Sequence, residues 1–106
     1  MNFNIKRLDL LPLLRVQLMD PSGASADLTG ATVVFNMATP DLVPKIARGA
    51  VTVIDAATGV VEYAWASGDT DTAALYLAEF EATYSGKALT YPNNGYFRVM
   101  VGSDLG

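Results

Sequence analysis

Cysteine and histidine are both absent from the chain. Without cysteine there is no disulfide, no thiolate metal ligand and no thiol nucleophile. Without histidine the commonest general base, the usual zinc ligand and every Ser-His or Cys-His arrangement are excluded. Charge is also sparse: charged residues make up 17% of the 106, and seven Lys and Arg stand against eleven Asp and Glu, for a net charge of -4. There is no basic run, and nucleic-acid binding depends on neutralising phosphates, so nucleic acid is not an expected partner. No stretch approaches the roughly 18 apolar residues of a membrane span, so no membrane is expected either. The opening MNFNIKRLDLLPLLRVQL has charge in its middle and no small-residue cleavage site after a hydrophobic block, which argues against a secretory signal.

What is present in quantity is apolar surface. Hydrophobic residues make up 51% of a chain long enough for one domain and too short for two. So high a fraction in so small a domain points to apolar surface that meets a partner. The strongest pattern lies in GVVEYAWASGDTDTAALYLAEFEATY, Gly59 to Tyr84. Val61, Tyr63 and Trp65 alternate in its first half, and Tyr76, Ala78, Phe80, Ala82 and Tyr84 in its second. Period two puts each set on one side of a sheet and Glu62, Glu79 and Glu81 on the other. Gly68-Asp69-Thr70-Asp71-Thr72 supplies a polar corner between the two strands.

The rest of the chain reads as further short strands. Asn2 to Lys6 is a short edge strand with Phe3 and Ile5 on one face, ended by Asp9-Leu10-Leu11-Pro12. Leu13 to Met19 follows, with Leu14, Val16 and Leu18 inward, and then the turn Asp20-Pro21-Ser22-Gly23. Ala31 to Ala38 directs Val33, Phe35 and Met37 inward. Two prolines keep Thr39 to Pro44 out of any central strand, so it reads as a connection crossing between sheets, with a short edge strand around Lys45 to Ala47. Ala50 to Asp55 forms a hairpin with the strand after Gly59. Ser85-Gly86 turns the chain into Lys87 to Tyr91, which Pro92-Asn93-Asn94-Gly95 interrupts before Tyr96 to Val101 completes it. One helical turn is allowed near Ala73-Ala74, and Gly102 to Gly106 reads as a loose tail.

About seven short antiparallel strands with regular turn signals and no sustained helical period imply an all-β, immunoglobulin-like β-sandwich. Thr72-x-Ala74-x-Tyr76 has the spacing of a tyrosine corner, in which the phenol hydroxyl bonds back to the preceding loop. Trp65 is then the expected central core aromatic.

Three groups of side chains could carry chemistry. Asp69 and Asp71, with Asp55, could offer oxygens to a hard cation, but the glycine and distal glutamate of a calcium loop are missing. Capping of the corner's own backbone is the expected role of the two aspartates. Glu62, Glu79 and Glu81 could gather as paired carboxylates, yet neighbours on a flat, wet strand face need shift no pKa. Arg98 could pair with Glu79 or Glu81 on that face. Tyr91, Tyr96 and Trp65 could form a stacking platform; the alternation assigns Trp65 to the core and leaves the two tyrosines as surface candidates. No catalytic residue, cofactor or metal site is expected, and the chain is not expected to be an enzyme.

The order of these motifs carries a resemblance. Leu13 to Met37, LLRVQLMDPSGASADLTGATVVFNM, runs from a strand through Asp20-Pro21-Ser22-Gly23 into Asp27-Leu28-Thr29-Gly30-Ala31-Thr32-Val33-Val34-Phe35. Gly59-Val60-Val61-Glu62-Tyr63, Trp65, Gly68-Asp69-Thr70 and Tyr76-Leu77-Ala78-Glu79-Phe80 follow, and then Gly86-Lys87, Tyr91-Pro92-Asn93 and Gly95-Tyr96. This succession resembles the N-terminal domain of tailed-phage baseplate upper proteins. The resemblance implies an immunoglobulin-like sandwich serving as a structural or adaptor piece of a phage tail or baseplate. It further implies other phage virion proteins as partners, homo-oligomeric contacts in the particle, and a location in the virion after assembly in the host cytoplasm. Larger members continue into linkers and receptor-binding modules, whereas this chain ends at Gly106, which implies a small stand-alone virion protein or an isolated domain. Two other readings compete: a capsid-decorating or host-surface module binding carbohydrate or protein, and a small hydrolase subunit with a carboxylate pair.

Overall fold

The computed structural model describes residues 2–105. Nine strands and no helix are formed among them. They are β1 (Asn2–Lys6), β2 (Leu14–Gln17), β3 (Thr32–Ala38), β4 (Pro44–Ala50), β5 (Thr52–Asp55), β6 (Val60–Tyr63), β7 (Ala74–Tyr84), β8 (Lys87–Tyr91) and β9 (Phe97–Gly102). Alternation fixes most of them. In β3 the buried residues are Val33, Phe35 and Met37, and in β7 they are Tyr76, Ala78, Phe80 and Ala82. The antiparallel register sets these rows side by side, Val33 against Ala82, Phe35 against Phe80 and Met37 against Ala78.

Six strands form the larger sheet, in the order β1-β9-β7-β3-β4, with β8 also on β7. The other three form a smaller sheet, β2-β6-β5. The small sheet is the B-E-D sheet of an immunoglobulin-like sandwich, and β3, β7 and β9 take the places of C, F and G. The two inner faces close over one core. At its centre Phe35 has no exposed surface and its ring lies 4.6 Å from Tyr63, 5.0 Å from Phe80 and 6.1 Å from Trp65. The tyrosine corner is formed: Tyr76 Oη donates to the Thr72 carbonyl at 2.9 Å.

Several expectations need correction. The strands number nine rather than about seven, because β4 is a full seven-residue strand and the last strand is cut into β8 and β9. Nor are they all antiparallel, since β1 runs parallel to β9, from Asn2 beside Arg98 to Lys6 beside Gly102. Thr39 to Val43 does not cross between sheets. It is a hairpin loop closed by Thr39 N–H to Val43 C=O and Leu42 N–H to Thr39 C=O, and it returns the chain into the same sheet. Proline is tolerated there because Pro44 opens an edge strand, where a missing N–H costs no ladder bond. The crossing falls at Val51, a single residue between β4 of one sheet and β5 of the other.

Phe35, not Trp65, holds the centre, since β6 ends at Tyr63 and Trp65 lies beyond it. Trp65 is nonetheless buried, packed 5.8 Å from Phe3, with Nε1 donating to the Pro12 carbonyl at 3.1 Å. Ala73-Ala74 forms no helical turn, because Ala74 already begins β7 opposite Val101. The tail is tied at its start: Gly102 closes β9, Arg7 pairs with Asp104 at 3.1 Å and Lys6 Nζ donates to the Ser103 carbonyl. Gly106 lies outside the described residues.

Candidate interaction surface

Glu62 and Glu81 each have a local partner. Glu62 lies on β6 of the small sheet and pairs with Arg15 at 2.9 Å, whereas Glu79 and Glu81 lie on β7 of the large one. The outer faces of the two sheets point away from each other, so the three glutamates do not gather. Glu81 meets Arg48 at 3.2 Å, and Arg98 sits in register with Leu77, so the expected pairing of Arg98 with Glu79 or Glu81 is not formed. Exposed pairs of this kind contribute at most ~1 kcal/mol each and do not mark a reactive site.

In the polar corner Asp69 accepts from Tyr63 Oη at 2.6 Å and from the Ala66 N–H at 2.8 Å. Burial first, and the Asp69 contact second, push the Tyr63 phenol well above its ordinary pKa. Asp71 pairs with Lys45 and accepts from Thr72 Oγ1. The Lys45 ammonium holds the Asp71 carboxyl below the usual carboxylate range. Asp55 accepts the Thr58 N–H in the β5–β6 turn. Among the described residues no three acidic side chains are gathered as a cation would need.

The aromatic platform is not assembled. Tyr91 is buried, because its register opposite Phe80 turns the ring inward, where its hydroxyl meets that of Tyr84 at 3.3 Å. Trp65 is in the core as well, which leaves Tyr96 alone exposed. Tyr96 stands beside a groove of about 340 Å³ on the outer face of the large sheet, with Leu42, Leu77 and Glu79. That groove is lined from β3 and β7, which have strands on both sides, and from the edge strand β4 through Pro44, Ile46 and Ala47.

A second groove borders the opposite edge of the same sheet. It has a volume of about 440 Å³ and follows β1 past Asn4, Ile5 and Lys6, with Met100 on one wall and Leu11 and Pro12 on the other. β1 is the last strand on its side of the sheet, so its outer edge has no strand partner among the described residues. Next to it the segment 7–13 carries the chain from the β1 edge to the β2 edge. Leu8, Leu10 and Leu11 are all exposed there, Leu11 at 70%. The segment is held in place by Thr70, which is buried: its hydroxyl donates to the Asp9 carbonyl at 2.9 Å and its carbonyl accepts the Leu8 N–H. Leu8 takes a positive φ of 70° to make that contact. Such a φ is costly for a leucine and persists only where the surroundings over-determine it.

Sequence reading treated Asp9-Leu10-Leu11-Pro12 only as a strand breaker. The available signal was three leucines within four positions that fit no alternating pattern and so had no assigned inner face. No family model matches the chain, and no curated protein matches it in sequence. The surface must therefore be read from its own chemistry: an unpaired strand edge flanked by exposed apolar side chains, on a rigid sandwich whose acidic groups serve local structure.

Proposed function

We propose that this chain is a non-enzymatic structural or adaptor component of a bacteriophage virion, in the tail or baseplate, that works by docking other virion proteins. The observation that carries the reading is the open β1 edge with exposed Leu8, Leu10, Leu11 and Met100 around it. Strand edges and apolar patches of this sort join proteins by edge pairing and face packing. The succession of motifs from Asp20 to Tyr96 that resembles baseplate upper proteins supports the same role. In this sandwich those motifs do structural work. Asp20 caps the Ser22 and Ala24 N–H groups, Asp27 caps Thr29, and Leu28 is buried. A scaffold kept for its shape, with its interaction surface at one side, is what an assembly part requires.

The test is peptide mass spectrometry of density-purified phage particles from cells that carry the gene, with immunogold labelling to locate the chain. Peptides at fixed stoichiometry to the tail proteins, and label at the tail or baseplate, are the expected result. Expression in the lysate without incorporation into particles would overturn the reading.

A further inference from the structure

We infer that the β1 edge is the seam of a two-fold symmetric dimer, in which β1 of one copy pairs antiparallel with β1 of a second copy about Asn4 and joins two six-stranded sheets into one. This deepens the assembly reading by naming a surface and an occupant.

The backbone gives the first reason. Arg7 N–H donates to the Gly102 carbonyl, so Arg7 directs its backbone toward β9. In a parallel strand alternate residues direct both backbone groups to the same side. Ile5 and Phe3 therefore face β9 with Arg7, while Asn2, Asn4 and Lys6 face the open edge. An antiparallel pair centred on Asn4 gives reciprocal Asn4 N–H to Asn4 C=O bonds. It also directs each Lys6 N–H to the Asn2 carbonyl of the other copy.

Side-chain chemistry fixes that register and favours a second copy. Centring on Asn4 sets Phe3 opposite Ile5 on the inner face and Asn2 opposite Lys6 on the outer. Cross-strand aromatic–aliphatic pairs are stabilising, and like charges directly opposite are not. Here no cation faces a cation; a pair centred on Lys6 would put two lysines face to face. Phe3 is only half-buried, its inner side on Trp65, so it has apolar surface left to meet a second copy, while Ile5 is already buried in its own core. Met100 stands in register with Asn4, and Leu11 walls the same groove, so both lie at the seam in each copy.

The opposite edge of the large sheet is guarded by contrast. β4 opens with Pro44, carries two register shifts against β3 and holds Arg48 at a φ of 54°. Prolines and bulges are the usual devices by which an edge is kept from pairing. β1 has no register shift against β9 and no proline.

The experiment is sedimentation velocity on the full chain from about 1 µM to about 1 mM, a range that brackets weak to moderate association. The wild type is expected to move from 11.2 kDa to twice that mass. Asn4→Pro removes the central outward N–H and breaks no bond to β9, while Leu11→Asp places a charge in the seam. Each should raise the midpoint concentration at least about tenfold with the near-ultraviolet circular dichroism of Trp65 unchanged. Should Asn4→Pro fail to fold, Leu11→Asp alone decides. In the wild type, exchange of the Asn4 and Lys6 amides should slow as concentration rises. A wild type that stays at 11.2 kDa throughout overturns the dimer. So does a dimer unaffected in a folded variant, or concentration-dependent protection confined to β4, β5 or β8. Particle incorporation tests the assembly role separately, so a monomer found in virions would sink this inference and leave that role standing.

Discussion

The two sides of the sandwich are closed in different ways. On one, the chain passes from β4 to β5 through Val51 alone, so the edges of the two sheets are covalently stitched. On the other, β1 and β2 are linked by the segment 7–13, with its exposed leucines and an edge that no strand among the described residues pairs. The stitched side is tightly filled where its two sheets meet. Gly49 in β4 lies against the Tyr63 ring, and a Cβ there would fall 2.7 Å from Cε1. The open side has a groove, exposed leucines and Leu8 at a φ of 70°, and the β3–β4 loop has its counterpart in exposed Leu42 at a φ of 67°. What differs is the link, one residue on the first side and the whole of segment 7–13 on the second.

Three measurements can break or sharpen that contrast. The largest effect belongs to Gly49→Val, whose branched side chain must displace Tyr63 from the core. Overpacking of this kind costs about 1–3 kcal/mol, and urea unfolding should place this variant near the upper end. A loss below about 0.5 kcal/mol, the level of an ordinary surface change, would show that the stitched side is looser than its geometry indicates. Next is Thr70→Val, which keeps shape but leaves the Asp9 carbonyl without its donor. A loss of about 1–2 kcal/mol is expected, together with faster proteolysis of segment 7–13. If its cost exceeds that of Gly49→Val, the open side carries more of the stability and the contrast reverses.

The smallest effect is the pH profile. The Asp20 carboxyl is held below its ordinary value chiefly by the Ser22 hydroxyl, Asp27 by that of Thr29, and Asp71 by Lys45. Their folded pKa values lie below the unfolded ones, so their contribution is present above the usual value of 3.8 and lost as pH falls through the folded values. Tyr63 behaves in the opposite sense. Burial raises its pKa, so its contribution is intact below the usual value of 10.0 and drains away as pH climbs beyond it. The urea midpoint should accordingly be flat between these limits and fall on both sides. The alkaline fall should be smaller in Tyr63→Phe than in the wild type.

What could be read from the residues was whatever alternation governs. Val33, Phe35, Met37, Tyr76, Ala78, Phe80 and Ala82 announce their faces because a period of two admits no other arrangement. The tyrosine corner was legible because its spacing is a local matter of a few residues. Partners distant in sequence were not legible. That β1 runs parallel to β9 depends on which side of β7 is free, which no window of residues contains. The hairpin at Thr39 to Val43 was misread because two prolines suggested a break in the sheet, whereas at an edge they are compatible with continuing it. Tyr91 was placed at the surface because the interruption after it hides its pairing with Phe80. The candidate surface was the least legible part, since exposed leucines in a sequence look like core until the structure leaves them no room there.

The cut between β8 and β9 has a mechanical consequence. One flank of β7 is shared end to end, Ala74 to Ala78 holding β9 and Phe80 to Tyr84 holding β8. β8 is thus held by β7 alone, whereas the same stretch of β7 is paired on its other flank with β3, from Thr32 beside Thr83 to Ala38 beside Leu77. Under a pulling force β8 is expected to yield before β7, since it has a ladder on one side only and β7 on both.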